Sequence, residues 1–159
     1  MNREQLRDKI EKAWGEFNAA WAGLPEAAML APGVVGDWSV KDVLAHVTTW
    51  EEEALKYLPL IAEGRRPPRY KDLYGGLDSF NDQVTARKRE LSLAEVLAQF
   101  EAIHRELLDY LATAPDNLIV RETPFRRRVR LDTYSHYPIH TAAIREWRGS
   151  EVSRSGHLF

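Results

Sequence analysis

Apolar positions along this 159-residue chain recur mostly at three- and four-residue steps, the spacing of one buried helix face. Leu6, Ile10, Ala13, Trp14, Phe17, Trp21 and Leu24 set the first stripe. Asn2 is placed to cap it, with Gln5 completing a capping box. Leu24-Pro25 ends it, because the residue before a proline avoids the α region. After a loop carrying Pro32, Gly33 and Gly36, Ser39 and Asp42 mark a second start. Val40, Val43, Leu44, Val47, Trp50, Ala54, Leu58 and Ile61 form its stripe, and Pro59 predicts a kink or an early end. The stretch GRRPPRYKDLYGG reads as a crossover, and Asp78 opens a short helix to about Arg89. Ser92 and Glu95 make another capping box. They head a helix with Val96, Leu97, Phe100, Ile103, Leu107, Leu108 and Leu111 on one face, closed by Ala114-Pro115-Asp116-Asn117.

The pattern then changes. Leu118 to Arg130 alternates and carries β-branched residues, which predicts two short extended pieces around Pro124. A last helix is expected over Asp132 to Trp147, with Ile139, Ala143, Ile144 and Trp147 inward and Pro138 either delaying its start to near Ser135 or bending it. Four main helices with a long crossover between the second and third predict an all-α four-helix bundle, those two helices running parallel. It forms one domain over residues 1–150, followed by a loose tail over 151–159.

Composition narrows the chemistry. No apolar run approaches the roughly 20 residues of a membrane span, and the charged start MNREQLRDKIEKAW lacks the apolar stretch of a signal peptide. With no cysteine, disulfides, thiolate ligands, iron–sulfur clusters and a cysteine nucleophile are excluded, and a cytoplasmic location is expected. A net charge of −2 gives no general attraction to nucleic acid or an anionic membrane, so neither is expected as a partner.

Histidine placement carries the candidate chemistry. His136 and His140 are four residues apart on the last helix, an arrangement that points two imidazoles the same way. His46 sits at the edge of the second helix's stripe. If these helices pack together near one end of the bundle, three neutral imidazoles with open positions can hold a catalytic divalent metal. The competing reading makes each one a core-edge or surface residue. His104, between Phe100 and Leu107 and without a helical partner, reads as a packed histidine, with a fourth-ligand or proton-relay role as the alternative. His157 falls in the tail.

Two segments resemble a known family. GDWSVKDVLAHVTTWE, residues 36–51, is similar to the second-helix signature of the DinB-like (DinB/YfiT) superfamily of four-helix-bundle proteins, and TYSHYPIHTAAIREW, residues 133–147, to its last-helix H-x-x-x-H. The HY…IR pattern with the preceding RRVRLDT also resembles the ClbS/DfsB branch. The resemblance covers residues 2–148 in helix count and order. It implies an up-down-down-up bundle with a divalent metal (Ni, Zn, Fe or Mn) on His46, His136 and His140. It also implies hydrolysis or low-molecular-weight-thiol transfer on a small molecule, or capture of a toxin without a catalytic metal. Pro138, between the two last-helix histidines, departs from the metal-binding members.

Other residues are weighed around that centre. Among Glu51, Glu52 and Glu53 the last shares His46's side of the helix and is favoured as a supporting base, with a solvated face as the alternative. Asp42 is within reach of a histidine but already serves as a capping residue. Arg126, Arg127, Arg128 and Arg130, with Phe125 beside them, and Arg65, Arg66 and Arg69 make basic patches that suit either an anion site or an ordinary solvated turn. Trp38 reads as a hydrophobic staple with Val43. Trp50, Tyr137 and Arg128 are the expected substrate contacts. Three function classes follow: a metal-dependent enzyme, a sequestering protein, and a structural bundle with vestigial histidines. A homodimer through helix faces fits all three.

Overall fold

The computed structural model describes residues 1–156, with side chains through Glu151. The chain forms α1 (Arg3–Trp21), α2 (Glu26–Leu30), α3 (Val40–Ala62), α4 (Tyr70–Tyr74), α5 (Leu77–Lys88), α6 (Leu93–Thr113), α7 (Pro124–Asp132) and α8 (Tyr137–Gly156). No strand occurs among the described residues. Capping boxes start α1 at Asn2, α3 at Ser39 and α6 at Ser92, each with both reciprocal hydrogen bonds in place. Two orphan amide donors are satisfied at each start, which is why the sequence signals are sharp there. α3 runs through Pro59 to Ala62; only the last turn lies beyond the proline, so little of the helix has to tolerate its missing donor.

Long-range contacts fix the helix directions. Arg3, at the start of α1, reaches the carbonyl of Ala114 and pairs with Asp116 at 3.0 Å, just past α6. Arg148 of α8 donates to the carbonyls of Ala20 and Ala22 at the end of α1. Lys41 and Asp42, at the start of α3, meet Arg89, just before α6. α1 therefore runs with α8 and against α6, while α3 and α6 are parallel, giving the up-down-down-up bundle. α4 and α5 lie in the crossover between α3 and α6; α5 matches the short helix expected from Asp78 to about Arg89, and α4 falls in the stretch read as linker.

Two expectations are corrected. The segment Leu118 to Arg130 is not extended: a 3-10 turn at Asp116–Leu118 leads to α7. Thr123 caps α7, accepting from the Arg126 amide at 3.1 Å, and Pro124 occupies its first turn, where a missing donor costs nothing. Phe125 and Val129, four apart, bury its inner face. The last helix starts at Tyr137, so its inner stripe is Tyr137, His140, Thr141 and Ile144, and Ile139 is 64% exposed rather than inward. α8 is helical through Gly156. His157 lies outside the described residues.

The core is apolar except at its centre. Trp14, Phe17, Phe100 and Tyr137 cluster there, and the His104 ring stacks on Trp14 with centroids 3.6 Å apart. His104 Nδ1 lies 2.9 Å from Oε2 of the fully buried Glu51, and its Nε2 faces Glu11 at 3.6 Å. Burial pushes the Glu51 carboxyl well above its ordinary value, against a lowering contribution from the Tyr137 hydroxyl. Burial also lowers His104 to about 4, with Glu11 opposing it. Both effects favour a neutral pair at pH 7, the Glu51 acid donating to His104 Nδ1. Glu51→Gln keeps a donor of similar size and is expected to lower unfolding free energy by no more than about 1 kcal/mol. Glu51→Ala orphans His104 and is expected to cost about 1–3 kcal/mol for that group alone, besides the lost packing. Urea denaturation checks both; a glutamine variant as damaged as the alanine one contradicts the neutral pair.

Candidate metal centre and adjoining cleft

His46 is on the second turn of α3. The other two histidines flank a break in the fourth helix of the bundle. α7 stops at Asp132, and Thr133, Tyr134, Ser135 and His136 form a turn before α8. The turn is held locally: the Ser135 amide donates to the Arg130 carbonyl at 3.0 Å, and the His136 and Tyr137 amides both donate to Thr133 at 2.8 and 2.9 Å. His136 thus precedes the helix and His140 sits in its first turn. Pro138 occupies that same first turn, where proline is pre-organised for a helix start, so it is compatible with the histidine pair. α8 runs opposite to α3, and its residues Ala143 and Trp147 pass Gly33 and Val34 ahead of α3. His46 and His140 both lie toward the starts of their helices. The histidines meet at the break, to one side.

The three side chains converge. His136 Nε2 is 3.1 Å from His46 Nε2 and 2.9 Å from His140 Nε2, and one ligand nitrogen from each ring lies within 4.8 Å of the others. The rings stand nearly edge to face, at 70°, 73° and 86°. Burial lowers His46 to about 2, with His140, His136 and Lys88 adding to it. Burial lowers His136 to about 3, with His140 adding, and burial alone takes His140 to about 4. All three are neutral at pH 7. A neutral imidazole has one N–H, so three mutually close Nε2 atoms cannot all be satisfied by one another. Nδ1 of His136 and of His140 is buried with no protein partner. Three lone pairs aimed at one point are the donor set of a divalent cation such as Zn, Ni or Fe, and the residues fit such an ion. Trp38 packs on the His46 ring at 4.9 Å between centroids, which gives it a place beside the cluster.

A cleft of about 400 Å³ opens beside the cluster. Its walls are His46 and Trp50 from α3, Tyr70 from α4, Leu77 and Asn81 from α5, Arg128, Leu131 and Asp132 from α7, and His136. Trp50 donates its indole N–H to Asn81 Oδ1 at 3.0 Å. Arg128 donates to Asp132 at 2.5 Å and to the Tyr70 hydroxyl at 2.8 Å. Burial pushes Asp132 up to about 6 despite Arg128 beside it. Trp50 and Arg128 therefore share the cleft with two of the histidines. Tyr137 does not: it is fully buried, with its hydroxyl turned toward Glu51. Glu51, not Glu53, reaches the core network, and Glu52 pairs with Lys88 at 2.6 Å. Asp42 is used by the Ser39 cap and by Arg89, not by a histidine. Arg126, Arg127 and Arg130 share the one carboxylate of Glu122, at 3.7, 3.9 and 3.3 Å, so that patch stays basic.

Sequence reasoning missed Tyr70, Asn81 and Asp132. Tyr70 is in the stretch read as linker and Asn81 in a helix of weak patterning, so neither gave a signal. Asp132 had one: Arg128 and Asp132 are four apart, the spacing of a helical ion pair.

An all-helical bundle with three convergent histidines defines the class of protein, and the comparisons supply its family. The model of the DinB superfamily matches residues 9–143, and the chain belongs to that superfamily. No curated protein matches it. Among solved structures it is similar to the sibling lethal factor precursor DfsB, at 17% identity over 95% of this chain and 97% of that one, TM-score 0.79. An uncharacterised protein of Escherichia coli UTI89 matches at 15% identity over 94% of each chain, TM-score 0.75. The colibactin self-resistance protein ClbS, crystallised with double-stranded DNA, matches at 13% identity over 91% and 94%, TM-score 0.75. At these identities the likeness carries the fold alone. No helix among the described residues is long and apolar enough to cross a membrane.

The lowered imidazoles have a consequence for pH. Unfolded histidines take up protons near 6.5 while the folded ones do not, so their linked stability is lost as pH falls from about 6.5 toward 4. In metal-free protein, ¹⁵N NMR is expected to find all three rings neutral from pH 7.5 to about 5, whereas ordinary histidines titrate in that range. A ring of the cluster titrating near 6.5 contradicts the burial argument.

Proposed function

We propose that the protein is a metal-dependent enzyme acting on a small molecule, by hydrolysis or by transfer of a low-molecular-weight thiol. The observation that carries this reading is the approach of the His46 and His140 Nε2 atoms to 3.1 and 2.9 Å from His136 Nε2, beside a cleft large enough for a metabolite. His46, His136 and His140 are the proposed ligands. A divalent ion held there supplies Lewis-acid chemistry, polarising a substrate oxygen or acidifying a water or thiol. The chain's own residues do the rest. Burial keeps the three lone pairs free of protons across neutral pH. Trp50, Leu77 and Leu131 limit water around the substrate. Asp132, a cleft carboxylate raised to about 6 by burial, stays mostly ionised at pH 7 and is suited to take and return a proton.

The structural neighbours favour one other reading. ClbS is described as a self-resistance protein and DfsB as a lethal factor precursor, so capture of a reactive small molecule in this same cleft is the alternative.

Protein purified without a histidine tag is expected to hold one divalent ion per chain by elemental analysis. His46→Ala and His140→Ala are each expected to weaken its binding by more than about a hundredfold, beyond the 10–100-fold seen when only a supporting residue is lost. Full occupancy in either variant sinks the ligand assignment. Mass spectrometry after substrate exposure separates the two readings: an enzyme returns to its starting mass and a scavenger retains an adduct.

A further inference from the structure

We infer that the cleft selects small organic acids, with Arg128 as the carboxylate clamp. The inference rests on the reading of this cleft as a substrate site and adds the class of substrate to it. A guanidinium has five N–H donors. In Arg128, Nε donates to Asp132 Oδ2 and one Nη2 hydrogen goes to the Tyr70 hydroxyl. Three donors remain, both of those on Nη1 among them, on a side chain that lines the cleft with His46 and His136. A planar fork of this kind matches the two oxygens of a carboxylate.

The clamp is set before any ligand arrives. The guanidinium carbon lies 6.0, 5.5 and 5.8 Å from the ring centroids of Trp50, Tyr57 and Tyr70. With Asp132 and Tyr70 as polar partners, this long side chain has little rotamer freedom left to lose on binding. An arginine serving only as a structural ion pair needs neither a second acceptor nor a position on a cleft wall.

Charge selects carboxylate over phosphate. Asp132 offsets the Arg128 charge, and no lysine lines the cleft. In the metal-free chain a monoanion is matched by the fork's hydrogen bonds at such a subsite, whereas a dianion finds no second cation there. Trp50, Leu77 and Leu131 supply apolar surface for the body of the acid, and His46 and His136 line the same cleft for its reacting end. Asn81 gives its side-chain oxygen to Trp50, which leaves its amide donors without a protein partner.

The test uses the full chain, metal-free and zinc-loaded, titrated with benzoate, with the neutral isostere benzamide and with inorganic phosphate. Binding is read by calorimetry and by the ¹⁵N–¹H signal of the Trp50 indole. Benzoate is expected to bind both forms saturably, at least about tenfold tighter than benzamide, and phosphate not to compete in the metal-free form. Arg128→Lys keeps the charge and loses the fork, and is expected to weaken benzoate at least about tenfold. Should that variant not fold, Tyr70→Phe, which removes one hydroxyl, is expected to weaken it about threefold or more. Absent benzoate binding, equal affinity for benzamide, displacement by phosphate in the metal-free form, or an unchanged affinity in the folded Arg128→Lys or Tyr70→Phe variant each overturns the clamp. The metal-free arm separates the two ideas. Benzoate bound through Arg128 in a chain that takes no metal upholds the clamp and ends the metal reading, and the reverse pattern does the opposite.

Discussion

The candidate site depends on an interruption of the fourth helix at residues 133–136. An unbroken helix from α7 into α8 would carry His136 and His140 on one face at ordinary helical separation. The turn instead places His136 ahead of the first residue of α8 and brings its Nε2 within 2.9 Å of His140 and 3.1 Å of His46. The same turn swings α7 against α3, so that Arg128 and Asp132 reach the cleft that His46 and Trp50 form from the other side. Thr133 holds the break through its carbonyl, which accepts from two successive amides, and Pro138 suits the restart.

Burial then sets the chemistry. The imidazole cluster, Glu51, His104, Tyr137 and Asp132 all sit where water is scarce, and in each the dominant influence is loss of solvation of the charged form. The consequences differ by place. In the core, desolvation makes Glu51 and His104 a neutral hydrogen-bonded pair between α3 and α6, clamped by the Trp14 ring. At the break, it leaves three lone pairs without protons. In the cleft wall, it raises Asp132 to about 6, while Arg128 donates to Asp132 and to the Tyr70 hydroxyl. One physical effect thus yields a structural contact, a donor set and a group able to exchange protons, according to what each carboxylate or imidazole faces.

Much of the architecture was legible because its signals are local. The boxes at Asn2, Ser39 and Ser92 announce helix starts in three or four residues, and long stripes such as Val40 to Ile61 announce the buried face. The histidine triad was legible as a candidate because two members are near in sequence and the third lies on a strong stripe. The segment from Leu118 to Arg130 was misread because Thr123-Pro124 serves equally as a strand breaker and as a cap with its first helical residue, and only packing of Phe125 and Val129 decides. Ile139 was misassigned because a start displaced by a few residues rotates the whole stripe. Tyr70 and Asn81 were invisible: their roles come from the crossover folding back over α3, a long-range event without local pattern. Glu51 lost to Glu53 because the seven-residue step from His46 was the only available guide, whereas the buried partner, His104, comes from another helix.

The central claim is that residues from α3, the turn and α8 share one cation. X-ray absorption on the cobalt- or zinc-loaded full chain tests it most directly. The account expects imidazole scattering from three nitrogens at about 2.0–2.1 Å, falling to two in His46→Ala with the fold retained. A metal shell with no imidazole signature, or one unchanged by that substitution, would show that the three rings do not converge on an ion.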